Sequence, residues 1–204
     1  MGRFSQAISE GDGISVVPIL EGGVAELAAL AEEAGAEAVA VSAKDAVAAR
    51  AATSLPIVVD GLQAPDLDKL AQAGVDGCVI VYDHDAGEGE LIDELYLAVD
   101  ALGIDPAVEV RDAEDLAEVL ERFDPEILVA ASARPSDEEE LEHVLDLLAD
   151  VPAGKLVVAR PRRPIDREQI VALERAGVDA ILVGGEFLRV SPDFGSALAE
   201  LTGR

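Results

Sequence analysis

The chain has 204 residues, with 42 acids against 15 bases and a formal net charge of −27. Such a field repels nucleic-acid phosphates and anionic lipid, so neither nucleic acid nor a membrane surface is an expected partner. Half of the residues are hydrophobic but only 3% are aromatic. The core must therefore be built from Ala, Val, Leu and Ile, which suits parallel strands covered by helices on both faces.

Residues 1–13 read as a short lead-in with at most one helical turn. Ile14 to Pro18 is the first predicted strand, and Gly22-Gly23 separates it from an Ala/Leu helix, Val24 to Ala34. Strands follow at Ala38–Val41, Leu55–Val59 and Gly77–Tyr82, with helices Lys44–Ala52 and Asp66–Ala73 between them. Glu90 to Leu102 has Leu and Val at helical spacing. Ala107–Val110 is the fifth strand, and Asp112 caps the helix after it. Ile127–Ala130 is the sixth strand. Ser136 with Glu139 three residues on forms a capping box for the helix through Leu148. Lys155–Ala159 is the seventh strand, Asp166 caps the next helix, and Ile181–Val183 is the eighth strand. Ser191-Pro192-Asp193 opens a last helix ending near Thr202.

A phrase recurs where helices hand over to strands: Gly35-Ala36-Glu37, Gly74-Val75-Asp76, Gly103-Ile104-Asp105 and Gly177-Val178-Asp179. Glycine closes the helix, and an apolar residue and an acid lead into a β-branched run. Eight such βα units without a linker predict one domain, residues 1–204, folded as a compact (β/α)8 TIM barrel. A flavodoxin-like open sheet would need about half as many units. The lone Cys78 excludes an intramolecular disulfide and fits a reducing compartment. No apolar run approaches the ~20 residues of a membrane span, and residues 1–6 lack the apolar stretch of a signal peptide. A cytoplasmic location is therefore expected.

The C-terminal ends of the strands form the active face of such a barrel. In Ala107-Val108-Glu109-Val110, period-two alternation sends the valines to the helix layer and turns Glu109 toward the barrel axis. A carboxylate there needs a partner, such as a rim arginine, or a catalytic task. Lys44 after strand two and His84 after strand four are further candidates for catalysis. His84, between two acids, reads either as a metal ligand or base, or as solvated surface. Arg134, Arg160, Arg162 and Arg163 follow two adjacent strands in a chain poor in bases, beside Gly184-Gly185 and a short helical stretch, Glu186 to Val190. That grouping reads either as a phosphate or carboxylate site built from Arg160, Arg162, Gly184 and Gly185, or as salt bridges to the many acids. His143 falls on a polar helix face. No motif calls for a cofactor or a metal.

The segments Leu102-Gly103-Ile104 to Val110, Glu114 to Leu120 and Arg175 to Arg189, with Leu55 to Val81, resemble indole-3-glycerol phosphate synthase. That family is a (β/α)8 barrel of tryptophan biosynthesis that closes an indole ring with loss of CO2 and water. Leu182-Val183-Gly184-Gly185-Glu186-Phe187-Leu188-Arg189 is similar to its phosphate-binding end. The resemblance implies a lyase, but the chain departs from it where the family carries its chemistry. Glu-x-Lys on strand one is Val16-Val17-Pro18 here, and Lys-Asp after strand three is Asp60-Gly61. The Asn pair after strand six is Ala131-Ser132, and Glu-Ser-Gly after strand seven is Arg160-Pro161-Arg162. Glu109 alone remains of the acid–base residues. The expectation is a barrel of synthase ancestry that has lost ring closure and keeps an anion site. The competing expectations are an active carboxy-lyase with relocated groups and another phosphate-substrate enzyme using Glu109.

Overall fold

The three positions of the recurring phrase have separate tasks. Gly35, Gly74, Gly103 and Gly177 sit at φ values between 72° and 95°, the left-handed conformation that ends a helix at little cost only without a Cβ. The apolar residue that follows (Ala36, Val75, Ile104 or Val178) is buried. The acid then reaches sideways. Glu37 accepts the Val16 N–H at 2.9 Å, Asp76 that of Ile57 at 2.9 Å, and Asp179 that of Val157 at 2.7 Å. Each carboxylate thus satisfies a backbone donor at the beginning of the preceding strand.

The computed structural model describes residues 2–11, 13–62, 67–83, 89–132, 140–184 and 193–203. Its strands are β1 (Ser15–Pro18), β2 (Val39–Val41), β3 (Ile57–Val59), β4 (Gly77–Val81), β5 (Asp105–Val110), β6 (Ile127–Ala131), β7 (Leu156–Arg160) and β8 (Ala180–Val183). Helix α1 (Arg3–Ser9) precedes them, and α2 (Val24–Glu33), α3 (Ala46–Ala52), α4 (Leu67–Gln72), α5 (Gly89–Ala101), α6 (Ala113–Arg122), α7 (Glu140–Leu148), α8 (Arg167–Arg175) and α9 (Phe194–Thr202) follow one strand each. The strands form one sheet in the order β1-β8-β7-β6-β5-β4-β3-β2, all pairs parallel. A parallel bridge between Ile19 and Ala40, with the Leu20 N–H donating to the Ala40 carbonyl at 2.8 Å, joins β1 to β2 and closes the ring. The molecule is the (β/α)8 barrel that the sequence predicts.

Side-chain alternation divides the core in two. Val17, Ala38, Ala40, Val58, Val79, Ala107, Ile127, Val129, Val158, Ala180 and Leu182 fill the barrel interior. Their neighbours along each strand, among them Val16, Val39, Val41, Val108, Val110, Leu128 and Ile181, pack outward against the helices. With so few aromatic residues, aliphatic side chains, Val and Ala foremost, build both layers.

The lead-in is more than a helical turn. Helix α1 brings Phe4 and Ile8, each 2% exposed, into the interior cluster. Gly2 offers α1 no capping side chain, and Asp105 of β5 supplies one, accepting from the Gly2 N–H at 3.0 Å and the Ser5 N–H at 2.8 Å. Other bounds shift by a residue or two. Lys44 lies in a 3₁₀ turn, Ala43–Asp45, ahead of α3. The cap of α9 is Asp193, which accepts the Ser196 N–H at 2.7 Å. Asp112 and Asp166 cap α6 and α8 as the sequence predicts. The predicted Ser136 cap lies outside the described residues. No helix among the described residues is long and apolar enough to cross a membrane.

Candidate functional site

The phase that points Val58, Ala107 and Val158 into the barrel carries forward to Asp60, Glu109 and Arg160, two residues on in each case. Glu109 and Arg160 lie on β5 and β7 and Asp60 directly follows β3, and side chains from alternate strands share a layer in such a barrel. They meet. Arg160 Nη1 donates to Asp60 Oδ1 at 2.7 Å and to Glu109 Oε2 at 2.8 Å, and its Nη2 donates to Asp60 Oδ2 at 2.8 Å. The second oxygen of Glu109 accepts from Arg111 Nε at 3.2 Å, and Arg111 Nη1 lies 3.9 Å from Asp83. A chain of alternating charge therefore crosses the C-terminal mouth: Asp60, Arg160, Glu109, Arg111, Asp83.

Burial sets the electrostatics of this chain. Glu109 is 2% exposed, so its two arginine partners are what make its charge tolerable there. Burial works against the charged form of Arg160, but Asp60 and Glu109 outweigh it and hold the guanidinium above its ordinary range. Arg160 therefore stays cationic at every working pH. The chain is anchored from behind by His143. Its Nε2 lies 2.9 Å from the Arg111 carbonyl oxygen, and the residue is half-buried, not set on a purely polar face.

The other sequence candidates fall around this core. Glu109 is in the barrel, paired with arginine. Lys44 is exposed and lines a cleft of about 280 Å³ with Glu21, Ser42 and Asp60 at the same mouth. It does not reach Glu109, whose oxygens are taken by arginines. Arg160 is the last residue of β7 and faces inward, whereas the sequence places it in the loop after the strand. The Arg162 N–H donates to Glu140 Oε1 at 2.8 Å, and its side chain is exposed. At Gly184, just past β8, a Cβ would meet nothing within 4 Å among the described residues, and its φ is not one that favours glycine. His84, Arg134, Gly185 and the stretch Glu186 to Val190 lie outside the described residues. Among those described, no group of three or more potential metal ligands gathers. Sequence reasoning places Asp60 after strand three at the active face but missed its pairing with Arg160. The signal was present, since Asp60 stands two residues beyond Val58 in the inward phase.

No family model matches the chain. It is 36% identical over 154 residues to an indole-3-glycerol phosphate synthase of Bordetella pertussis, a match covering 75% of this chain and 58% of that protein. A protein of the same name from Aromatoleum aromaticum is 36% identical over 161 residues, covering 76% of this chain and 59% of that one. The chain thus spans less than two thirds of the length of these relatives. Among solved structures, thiamine phosphate pyrophosphorylase from Pyrococcus furiosus superposes with a TM-score of 0.68 at 20% identity, over 93% of this chain and 94% of that one. A mutant tryptophan synthase alpha-subunit from the same organism gives 0.70 at 17% identity, over 93% and 98%. Those structures share the fold; the sequence similarity is to indole-3-glycerol phosphate synthases.

Proposed function

We propose that the chain is a barrel of indole-3-glycerol phosphate synthase descent that no longer closes the indole ring and holds a small phosphorylated or carboxylated molecule at its C-terminal mouth. The observation that carries the first half is the occupancy of Glu109. A general acid or base needs an oxygen on the proton it transfers, and both oxygens of Glu109 accept from guanidinium groups. The resemblance sharpens this. Asp60 stands where the family has lysine, and Arg160 stands where it has glutamate. Under that resemblance both positions change sign of charge together, the two replacements bond each other across the barrel, and position 60 offers no ammonium to protonate a substrate.

The second half rests on what remains for a ligand. Arg160 spends Nη1 and one N–H of Nη2 on the carboxylates, and its Nε has no partner among the described residues. Arg162 is exposed on the loop that follows, and Gly184 ends the neighbouring strand with open space where a side chain would stand. The exposed Arg162 and the Gly184 N–H suit an anion better than the acidic remainder of the surface does. An amide-resolved NMR titration with inorganic phosphate tests this. Shifts centred on Gly184 that weaken in Arg162→Ala are expected; no shift at Gly184 would remove the anion site. Arg162 is the residue to change, because losing Arg160 strands two carboxylates in the mouth.

A further inference from the structure

Among the described residues four large hydrophobic side chains stand exposed, and three of them belong to one helix: Leu91 (50%) and Leu97 (65%) on α5, and Leu102 (38%) directly after it. The inner face of α5 is accounted for by Ile92 and Val99, which are buried in the core. The outer face repeats in the opposite phase. Leu91, Glu94, Ala98 and Ala101 follow one another at spacings of three, four and three, flanked by Leu97 and Leu102. That is the a–d register of a helix that packs against a second helix, and the two alanines leave room for a close approach. Glu94 is the only polar residue of the six.

Glu94 decides what covers this face. Helix α5 contains no lysine or arginine, and Arg122 of the neighbouring α6 is taken up by Asp93, with Nη2 at 2.7 Å from Oδ2. A second copy packed two-fold, α5 on α5, would bury both Glu94 carboxylates without a cation, which is costly. It would also bring together two bodies that each carry a charge of −27. A partner with its own cation avoids the first cost, and the field of this chain draws bases toward it. We infer that the outer face of α5 docks an amphipathic helix of another protein, with an apolar stripe at heptad spacing and one lysine or arginine within it opposite Glu94. The 13 residues of α5 span about 20 Å, so the contact falls in the small, transient class of interface. It uses no residue of the mouth and stands or falls apart from the reading given above.

The test is a methyl-resolved NMR titration of the full chain at about 0.15 M salt, which screens diffuse attraction. Three synthetic helical peptides of about five turns and identical composition serve as probes. The first has leucine at its a and d positions except for one central lysine. The second exchanges that lysine with a glutamate of its outer face. The third scatters the leucines around the helix. The first is expected to shift the methyls of Leu91, Leu97 and Leu102 and to bind at least about tenfold tighter than the other two. Leu97→Gln should weaken it about tenfold, and Glu94→Gln should abolish the preference for the first peptide over the second. Both positions are exposed, so circular dichroism should report an unchanged fold. Equal binding of the third peptide reduces the effect to charge attraction and overturns the inference. So do α5 methyls that stay unmoved at millimolar peptide, or a preference for the first peptide that survives Glu94→Gln. Sedimentation of the chain alone covers the remaining occupant: a dimer that Leu97→Gln dissolves assigns the face to a second copy and overturns the inference as well.

Discussion

Replacing Arg160 by methionine removes the only group among the described residues that hydrogen-bonds both Asp60 and Glu109. Three charge-assisted hydrogen bonds of 2.7–2.8 Å go with it, and two carboxylates are left facing each other in the barrel mouth. Breaking a buried ion pair by deleting one partner costs about 3–5 kcal/mol. The Arg160 side chain is 24% exposed and that of Asp60 16%, so water relieves part of the strain, and Arg111 still holds Glu109. The expected loss is therefore at the low end, about 3 kcal/mol, out of a total that is typically 5–15 kcal/mol. Urea unfolding at neutral pH reads this as a fall in the midpoint of about 1 M or more with an unchanged slope. A second variant separates charge stranding from simple loss of packing. Asp60→Asn, Glu109→Gln and Arg160→Met together leave no stranded carboxylate, and Arg111 keeps Asp83 at 3.9 Å, so the triple variant should recover most of the loss. A single-variant loss below about 1 kcal/mol, or a triple variant no more stable than the single, would refute the view that the mouth is held by its central guanidinium.

Three further outcomes follow from other parts of the fold. A Cβ at Gly77 would lie 3.0 Å from Phe4 Cδ1 and 3.3 Å from Cγ; Gly77→Ala should cost about 1–3 kcal/mol by overpacking, and adding Phe4→Leu should return part of it in a double-mutant cycle of denaturant midpoints. Hydrogen bonds from the Ser54 hydroxyl, the Thr53 hydroxyl and the Ser54 N–H hold the Glu32 carboxyl below its ordinary value of 4.5. A depressed folded pKa gives stability that is present above the unfolded value and disappears as pH falls through the folded one. The melting-temperature advantage of the wild type over Glu32→Gln should therefore stand at about pH 6 and shrink toward about pH 3; an advantage that grows with acid contradicts the assignment. Burial pushes the Cys78 thiol up to about 12, so a disulfide reagent at about pH 8 should leave the native protein unmodified and react promptly in urea.

Much of the fold was legible because its signals are local. Gly177 and its three counterparts mark helix ends, Asp112 and Asp166 mark helix starts, and the valines flanking Glu109 fix which way that carboxylate points. The partners were not legible, because they are set by barrel closure. Asp60 and Glu109 are each joined to Arg160 across intervening strands, at separations in sequence of 100 and 51 residues, and no local pattern encodes which side chains share a layer. The same holds for α1. Its short run of apolar residues reads as a lead-in until β5 is seen to offer Asp105 as its cap. The acid of the recurring phrase was visible as a repeat, but its purpose, to bind the N–H at the start of the preceding strand, emerges only when Glu37, Asp76 and Asp179 are seen beside their neighbours.

The central claim is that arginine has taken both oxygens of Glu109 and so ended ring closure. Steady-state turnover of the purified chain with the phosphorylated anthranilate-derived precursor, followed by indole absorbance, tests it most directly. The expected result is no indole product above the rate without protein, in the wild type and in Glu109→Gln alike. Clear turnover by the wild type that Glu109→Gln abolishes would contradict it.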